Sequence, residues 1–346
     1  IHRGGFADGG NWSGDDVEIA FHISNVAYGE ASGYDTPSLD PGTGGLLHPP
    51  TDMRQWDEWR RTLYAWRAQQ HASNNYDPDT STYNDAEYQW GKSNVSCYFA
   101  MLWDTRLLDP DTGQFKTQEF IQLLNDEFGG VDSIMLWQAY PRLGVDDRNQ
   151  FDHYRHMPGG VAGMQQLIDD FQAAGIRCYL AYNPWDVYTK REPGEPALPE
   201  KNNEGMLTVC RDMVVQLGAD GVFLDTMQSA EFLRNALDGP AGKDGVILEG
   251  ESMASLNNLY MLHNSWAQNT ANGDGTIPAI LRNKWFEPRH INHQIVRWST
   301  NHTNELQLAF MNGSGMMIWE NVFSAHHNRR WSYRDRGFQR LVRPIL

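Results

Sequence analysis

Cysteine is scarce in this 346-residue chain, with three residues in all, Cys97, Cys178 and Cys210. None has metal-ligand spacing; two fall in predicted strands and one in a predicted helix, so buried free thiols are expected. Positive charge is also short. Lys and Arg total 28 against 44 Asp and Glu, a net charge of −16. That balance argues against nucleic acid and against sulfated or uronic-acid polymers as general partners. No apolar run approaches the roughly 20 residues needed to cross a bilayer, so no membrane span is expected. No charged-then-apolar opening reads as a signal peptide. A start at Ile1 rather than Met reads as a trimmed chain, in which an original signal would be invisible. On that reading a secreted or periplasmic origin is slightly favoured over a cytoplasmic one.

Several chemical signatures are missing as well. No GxGxxG follows a predicted strand, which removes the usual dinucleotide fold. The twelve histidines include HINH (290–293) and HH (326–327), but neither forms HExxH or has a Cys partner. No metal site and no organic cofactor are expected. The two DPDT segments (77–80 and 109–112) lack the downstream Glu of an EF-hand and read as Asp-Pro turns.

What the chain does have is a globular balance, 40% hydrophobic and 21% charged, and a heavy aromatic load of 13 Trp, 14 Tyr and 14 Phe. Many of these rings sit in Gly- and Asn-rich loops, where an indole face can stack on a sugar ring. Residues 1–94 are irregular, with one alternating strand pattern (VEIAFHIS, 17–24) and one helix pattern (53–70). They read as an accessory or cap region. From 95 to 346 the pattern becomes strand, loop, helix, repeated. Strands are expected at 97–103, 133–139, 176–182, 221–224 and 245–249, with weaker candidates at 279–285, 294–298 and 315–319. Helices are expected at 161–175 and 206–218, with Gly175 and Gly218 as their C′ glycines. The length suits a (β/α)8 TIM barrel with an irregular, β-containing N-terminal region; an open doubly wound sheet is the alternative.

Nearly every predicted strand ends in polar or aromatic groups. They are Trp103 and Asp104, Trp137 and Tyr140, Asn183, Trp185 and Asp186, Asp225, Glu249 and Glu251, and Trp319 and Glu320. In a parallel barrel these ends share one face, and a ring of carboxylates and indoles is costly to build there unless something binds. A single strand-end Asp is more often a helix N-cap; five together lower that reading sharply. Glu249 and Glu251 are two apart and point to one side of their strand, and one of them is expected to be a buried structural carboxylate. The polar loop 142–160 carries Arg148, either as a solvated surface loop or as a binding loop in which Arg148 bridges sugar hydroxyls.

Four segments carry a resemblance: WQAYP (137–141), PGGVAG (158–163), YLAYNPWD (179–186) and GVFLD (221–225). Over residues 131–227 the chain resembles retaining α-glycoside hydrolases with (β/α)8 barrels, the α-galactosidase-like and α-amylase-like group. The resemblance implies that Asp225 is the nucleophile. It implies an acid/base at Glu251 or Glu249 in the amylase-like pattern, or at Glu287 in the α-galactosidase-like one. The amylase-like His-Asp pair of strand seven is absent. The function so implied is cleavage of an α-linked neutral sugar in an oligosaccharide or glycoside by double displacement. A non-catalytic carbohydrate-binding barrel is the second reading, and a metal-dependent hydrolase or isomerase the third.

Overall fold

A computed structural model of the chain describes residues 50–138, 147–186, 189–193, 204–227, 230–251, 254, 256–267, 284–295, 303–311, 313–318 and 340. Eight parallel strands close into a barrel in chain order: β1 (Ser96–Met101), β2 (Ser133–Trp137), β3 (Arg177–Tyr182), β4 (Gly221–Leu224), β5 (Ile247–Gly250), β6 (Asn264–Ala267), β7 (Ile291–Ile295) and β8 (Gly315–Ile318), with β8 pairing back onto β1. The five strongest strand expectations are neighbours in the order expected, all parallel. Helix follows the strands at α2 (Thr117–Phe128), α3 (Gln150–Arg155) and α4 (Gly160–Ala173), α5 (Glu204–Leu217), α6 (Glu231–Asp238), a single 3-10 turn at Leu256–Asn258, and α7 (Thr303–Met311). An additional helix, α1 (Trp56–Ser73), precedes the barrel. Among the described residues no helix is long and apolar enough to cross a membrane.

The helices form because their apolar residues recur on one face. In α4, Met164, Leu167, Ile168 and Phe171 are buried at spacings of three and four. Each such side chain contributes about 1.5–3 kcal/mol by leaving water. The helix then stops at Gly175, whose φ of +79° suits a residue without Cβ; Gly218 does the same after α5 at +72°.

Two apolar layers result. The larger lies between strands and helices and takes in Trp56, Trp59, Leu63 and Trp66 of α1. The smaller fills the barrel itself: Cys97, Phe99, Met135, Trp137, Tyr179, Phe223, Ile247, Trp266, Ile295 and Met317. The interior is packed rather than hollow. Gly221 shows how tightly: it lies beside Tyr179 across the β3–β4 ladder, and a Cβ there would come within 2.4 Å of the Tyr179 ring.

Two expectations need correction. The sixth strand is Asn264–Ala267, not 279–285. Its sequence NSWA lacks the apolar run of a buried strand because its polar groups are satisfied by tertiary partners. Asn264 accepts from Tyr179 Oη at 2.7 Å and from Asn94 Nδ2 at 3.1 Å, and Ser265 donates to Asn292 at 3.1 Å. Residues 279–283 lie outside the described residues, and Lys284–Phe286 are helical. Part of the polar loop 142–160 is also helix. Asn149 caps α3 in a reciprocal box with Asp152, so the polar residues there serve a helix start rather than a solvated loop. The strand expected at 17–24 lies outside the described residues, as do Tyr140, Trp319 and Glu320.

The 3-10 segments between α1 and β1 cover the N-terminal ends of the strands. Tyr83 Oη donates to the Leu262 carbonyl just before β6 at 2.7 Å, and Trp90 Nε1 donates to the Gly245 carbonyl before β5 at 3.1 Å. The opposite, C-terminal end is where the strand-end carboxylates collect.

Candidate active site

Asp225 is the residue after β4, and its side chain is buried. Its backbone N–H continues the ladder by donating to the Tyr182 carbonyl at 2.9 Å. Two side chains from the end of β3 hold its carboxylate. Asn183 Nδ2 donates to Oδ2 at 2.5 Å, and Trp185 Nε1 donates to the same oxygen at 2.6 Å.

Glu251, the residue after β5, lies beside Asp225 and acts on its carboxyl. Its own Oε2 accepts from the Thr226 backbone N–H at 2.6 Å, and its N–H donates to the Leu224 and Met227 carbonyls, each at 3.2 Å. Thr226 has φ of +55°, a left-handed conformation that a β-branched residue rarely adopts. The strain sits in the turn that presents an amide to Glu251, between the two carboxylates. Burial, and then the neighbouring Glu251 charge, push the Asp225 carboxyl up to about 7, against the Trp185 and Asn183 bonds that favour its ionised form.

The donors are themselves fixed. Gln138 Nε2 donates to Asn183 Oδ1 at 2.7 Å, and Tyr154 Oη donates to Gln138 Oε1 at 3.1 Å. The Gln150 side chain bonds both backbone groups of Asn183: Nε2 donates to its carbonyl at 3.0 Å, and Oε1 accepts from its N–H at 2.7 Å. An amide side chain thus stands in for a strand partner where the β3 ladder ends. Gln138, Tyr154 and Thr226 were not singled out in the sequence, and Gln150 only as one polar residue of the loop 142–160. Their spacing carries no motif, since the network joins a strand end, a short helix and a turn.

Other expected residues lie elsewhere. Glu249, fully buried within the barrel, meets His293 Nδ1 through Oε1 at 2.6 Å, while His293 Nε2 faces the Asn94 carbonyl at 2.8 Å. Glu249 Oε2 has no hydrogen-bond partner among the described residues. Burial opposes charging of His293, but the Glu249 charge and hydrogen bond outweigh it and hold the ring above its ordinary value. Glu287 is bound by Tyr76 and by Arg289, whose Nε lies 2.7 Å from Oε1. It precedes β7, so it belongs to the N-terminal face, away from Asp225. Its pKa is lowered: desolvation acts the other way, but the Arg289 and Tyr76 hydrogen bonds prevail. Asp186 accepts from the Gln150 N–H at 2.8 Å and from Thr189 Oγ1 at 2.5 Å. Asp104 is taken up by Arg106 at 2.6 Å. Trp137 packs between Phe99 and Phe223 inside the barrel. Trp103 is 49% exposed just past β1, and Arg148 is half-buried.

The histidines of HINH have internal roles. His290 Nε2 is 2.8 Å from Ser265 Oγ, and His293 pairs with Glu249. Among the described residues no group of three or more His, Cys, Asp or Glu is placed to hold a metal ion. All three cysteines are free and buried. Asp77 and Asp109 form turns, accepting from the Asp79 and Asp111 N–H groups at 3.0 and 2.9 Å.

No family model matches the chain, and no curated protein matches it. Among solved structures it is similar to an α-N-acetylgalactosaminidase from Bifidobacterium bifidum (a quadruple mutant), at 13% identity and a TM-score of 0.50, covering 82% of this chain and 56% of that one. It also aligns with a GH27 β-L-arabinopyranosidase from Geobacillus stearothermophilus at 11% identity and a TM-score of 0.44, covering 70% of this chain and 76% of that one. A debranching enzyme from Nostoc punctiforme aligns at 10% identity and a TM-score of 0.47, covering 74% and 80%. The chain thus spans little more than half the length of the first of these. At such identities the likeness is one of fold.

Proposed function

We propose that the chain is a glycoside hydrolase that cleaves an α-linked neutral sugar by double displacement. The observation that carries the proposal is the neighbouring pair of carboxyls, Asp225 and Glu251, at the C-terminal end of a closed parallel barrel, Glu251 being held by the amide of the residue after Asp225. Barrel enzymes place their chemistry at that end. A retaining pair stands roughly 5–5.5 Å apart and an inverting pair roughly 6.5–9.5 Å, and carboxyls close enough for one to raise the other favour the shorter spacing. Fold likeness to a glycosidase adds only analogy.

In the first step Asp225 attacks the anomeric carbon. The bond from that carbon to the leaving oxygen breaks, and Glu251 gives its proton to that oxygen. In the second step Glu251 takes a proton from water, the water oxygen attacks the anomeric carbon, and Asp225 departs as carboxylate. The step needs Asp225 as carboxylate and Glu251 as acid, and the Asn183 and Trp185 donors on Asp225 favour that arrangement. The half-buried Trp185 and the exposed Trp103 offer aromatic surface, and a chain of net charge −16 disfavours anionic sugars.

The test is a panel of neutral aryl glycosides with wild type, Asp225→Asn and Glu251→Gln. Asp225→Asn is expected to abolish turnover while still binding sugar. Glu251→Gln is expected to lose most on substrates with poor leaving groups, which need the proton. The first-formed sugar is expected to keep its anomeric configuration. Inversion would remove the double-displacement mechanism. Sugar binding without turnover by wild type across the panel would leave a carbohydrate-binding barrel.

A further inference from the structure

Trp185 stands at the mouth where an indole would ordinarily be read as a platform for a sugar ring. Its orientation says otherwise, because its N–H edge points into the site and ends 2.6 Å from Asp225 Oδ2. Asn183 Nδ2 reaches that same oxygen. Two donors on one carboxylate oxygen define the plane of the group, and Oδ1 receives neither of them. Both donors come from one short stretch, 183–185. That stretch is clamped from outside the strand by Gln150 on the Asn183 backbone and by Asp186, whose carboxylate accepts the Gln150 N–H. Asn183 is further held through Gln138 and Tyr154. The donors are therefore held before any substrate arrives, which is what preorganisation of a reacting group requires.

We infer that Trp185 is a positioning residue for Asp225: its indole N–H, together with the Asn183 amide, fixes the carboxylate so that Oδ1 is the oxygen presented to the reacting carbon. The inference rests on the proposed role of Asp225 and adds a function to the tryptophan beyond contact with sugar. The charged group facing Asp225 from the neighbouring strand is Glu251. A hydrogen bond to the ionised carboxylate favours that form, so Trp185 also helps keep Asp225 ionised beside a second carboxyl.

The experiment separates the hydrogen bond from the ring. In protein carrying 15N-labelled indole, the Trp185 N–H resonance, assigned by its loss in Trp185→Phe, is expected to shift with pH with a midpoint near 7. In Asp225→Asn that shift is expected to disappear. This readout needs no turnover, so it tests the contact even if no glycoside is cleaved, in which case the proposed function fails and the contact stands. With an active substrate, Trp185→Phe keeps an aromatic ring and loses the donor. It is expected to lose kcat/KM on the order of tenfold more at pH 6 than at pH 9, with KM little changed, because one charge-assisted bond favouring the ionised form is gone. If Trp185→Phe does not fold, the resonance is identified as the indole N–H whose pH shift is lost in Asp225→Asn, and the absence of any such resonance overturns the contact. A Trp185 resonance indifferent to pH, or a loss in Trp185→Phe confined to KM and equal at both pH values, would overturn the positioning role and return Trp185 to a stacking surface.

Discussion

Glu249 and Glu251 sit two residues apart, one within β5 and one just after it, and are expected to fail in opposite ways when neutralised. Consider Glu249→Gln. The side chain keeps its shape and one acceptor oxygen, and loses its charge. Its partner His293 lies 2.6 Å away, and both side chains are wholly buried. Removing one partner of a buried ion pair outright costs about 3–5 kcal/mol. Gln retains the hydrogen bond to a neutral ring, so the expected loss is nearer 1–3 kcal/mol, a fall of several degrees in Tm. The sign of its pH dependence follows from His293, which Glu249 holds above its ordinary value against desolvation. A histidine raised on folding contributes stability that is fully present below its unfolded value, about 6.5, and lost as pH rises through the higher folded one. The Tm difference between wild type and Glu249→Gln should therefore be large at pH 6 and shrink by pH 9. Activity of the folded variant on an aryl glycoside should stay within about threefold of wild type, since nothing places Glu249 at the mouth. Glu251→Gln should show the reverse: little change in Tm and a loss on the order of 10²–10⁴ on poor leaving groups. A Glu249→Gln variant with an unchanged Tm and a 10²-fold loss of kcat/KM would refute the reasoning and move the acid/base role one pleat down the strand.

Two further outcomes follow from the same packing. The Asp225 carboxyl, pushed up to about 7, makes the free site lose its nucleophile on acidification, so kcat/KM should fall below a midpoint near pH 7. Because a carboxyl raised on folding subtracts stability as pH rises from its unfolded value towards 7, Asp225→Asn should raise Tm at pH 8 but not at pH 4, the gain being at most about 4 kcal/mol; scanning calorimetry at the two pH values checks it. Gly221→Ala puts a Cβ 2.4 Å from the buried Tyr179 ring. It should destabilise the barrel by about 1–3 kcal/mol in denaturant unfolding, and a neutral result would mean that the ring has room to turn.

How much of this was legible in the chain depended on whether a residue's role is local. Strands β1 to β4 announce themselves by buried runs such as CYFAM and GVFL, bounded by helices with glycine stops, because apolar burial on both faces is a property of a few consecutive residues. Strand β6 is equally buried but reads NSWA. Its Asn264 is tolerated only because Asn94 and Tyr179, 170 and 85 residues away, complete its hydrogen bonds. Strand β7 begins at Ile291, three residues before its expected start, since INHQ is polar for the same kind of reason: His293 is matched to Glu249, 44 residues distant. Strand parity puts the two glutamates after residue 248 on one side. Parity is silent on depth, so it could not say which would meet a histidine and which would meet Asp225. Trp185 illustrates the same limit from the other direction. Its position at a strand end is visible in the sequence, but whether an indole offers its face or its N–H depends on one side-chain rotation, set here by a carboxylate 40 residues along the chain. The candidate site is thus readable as a location, because strand ends of a parallel barrel converge. The division of labour among its carboxylates is not, because it is set by contacts between elements that the barrel closure alone brings together.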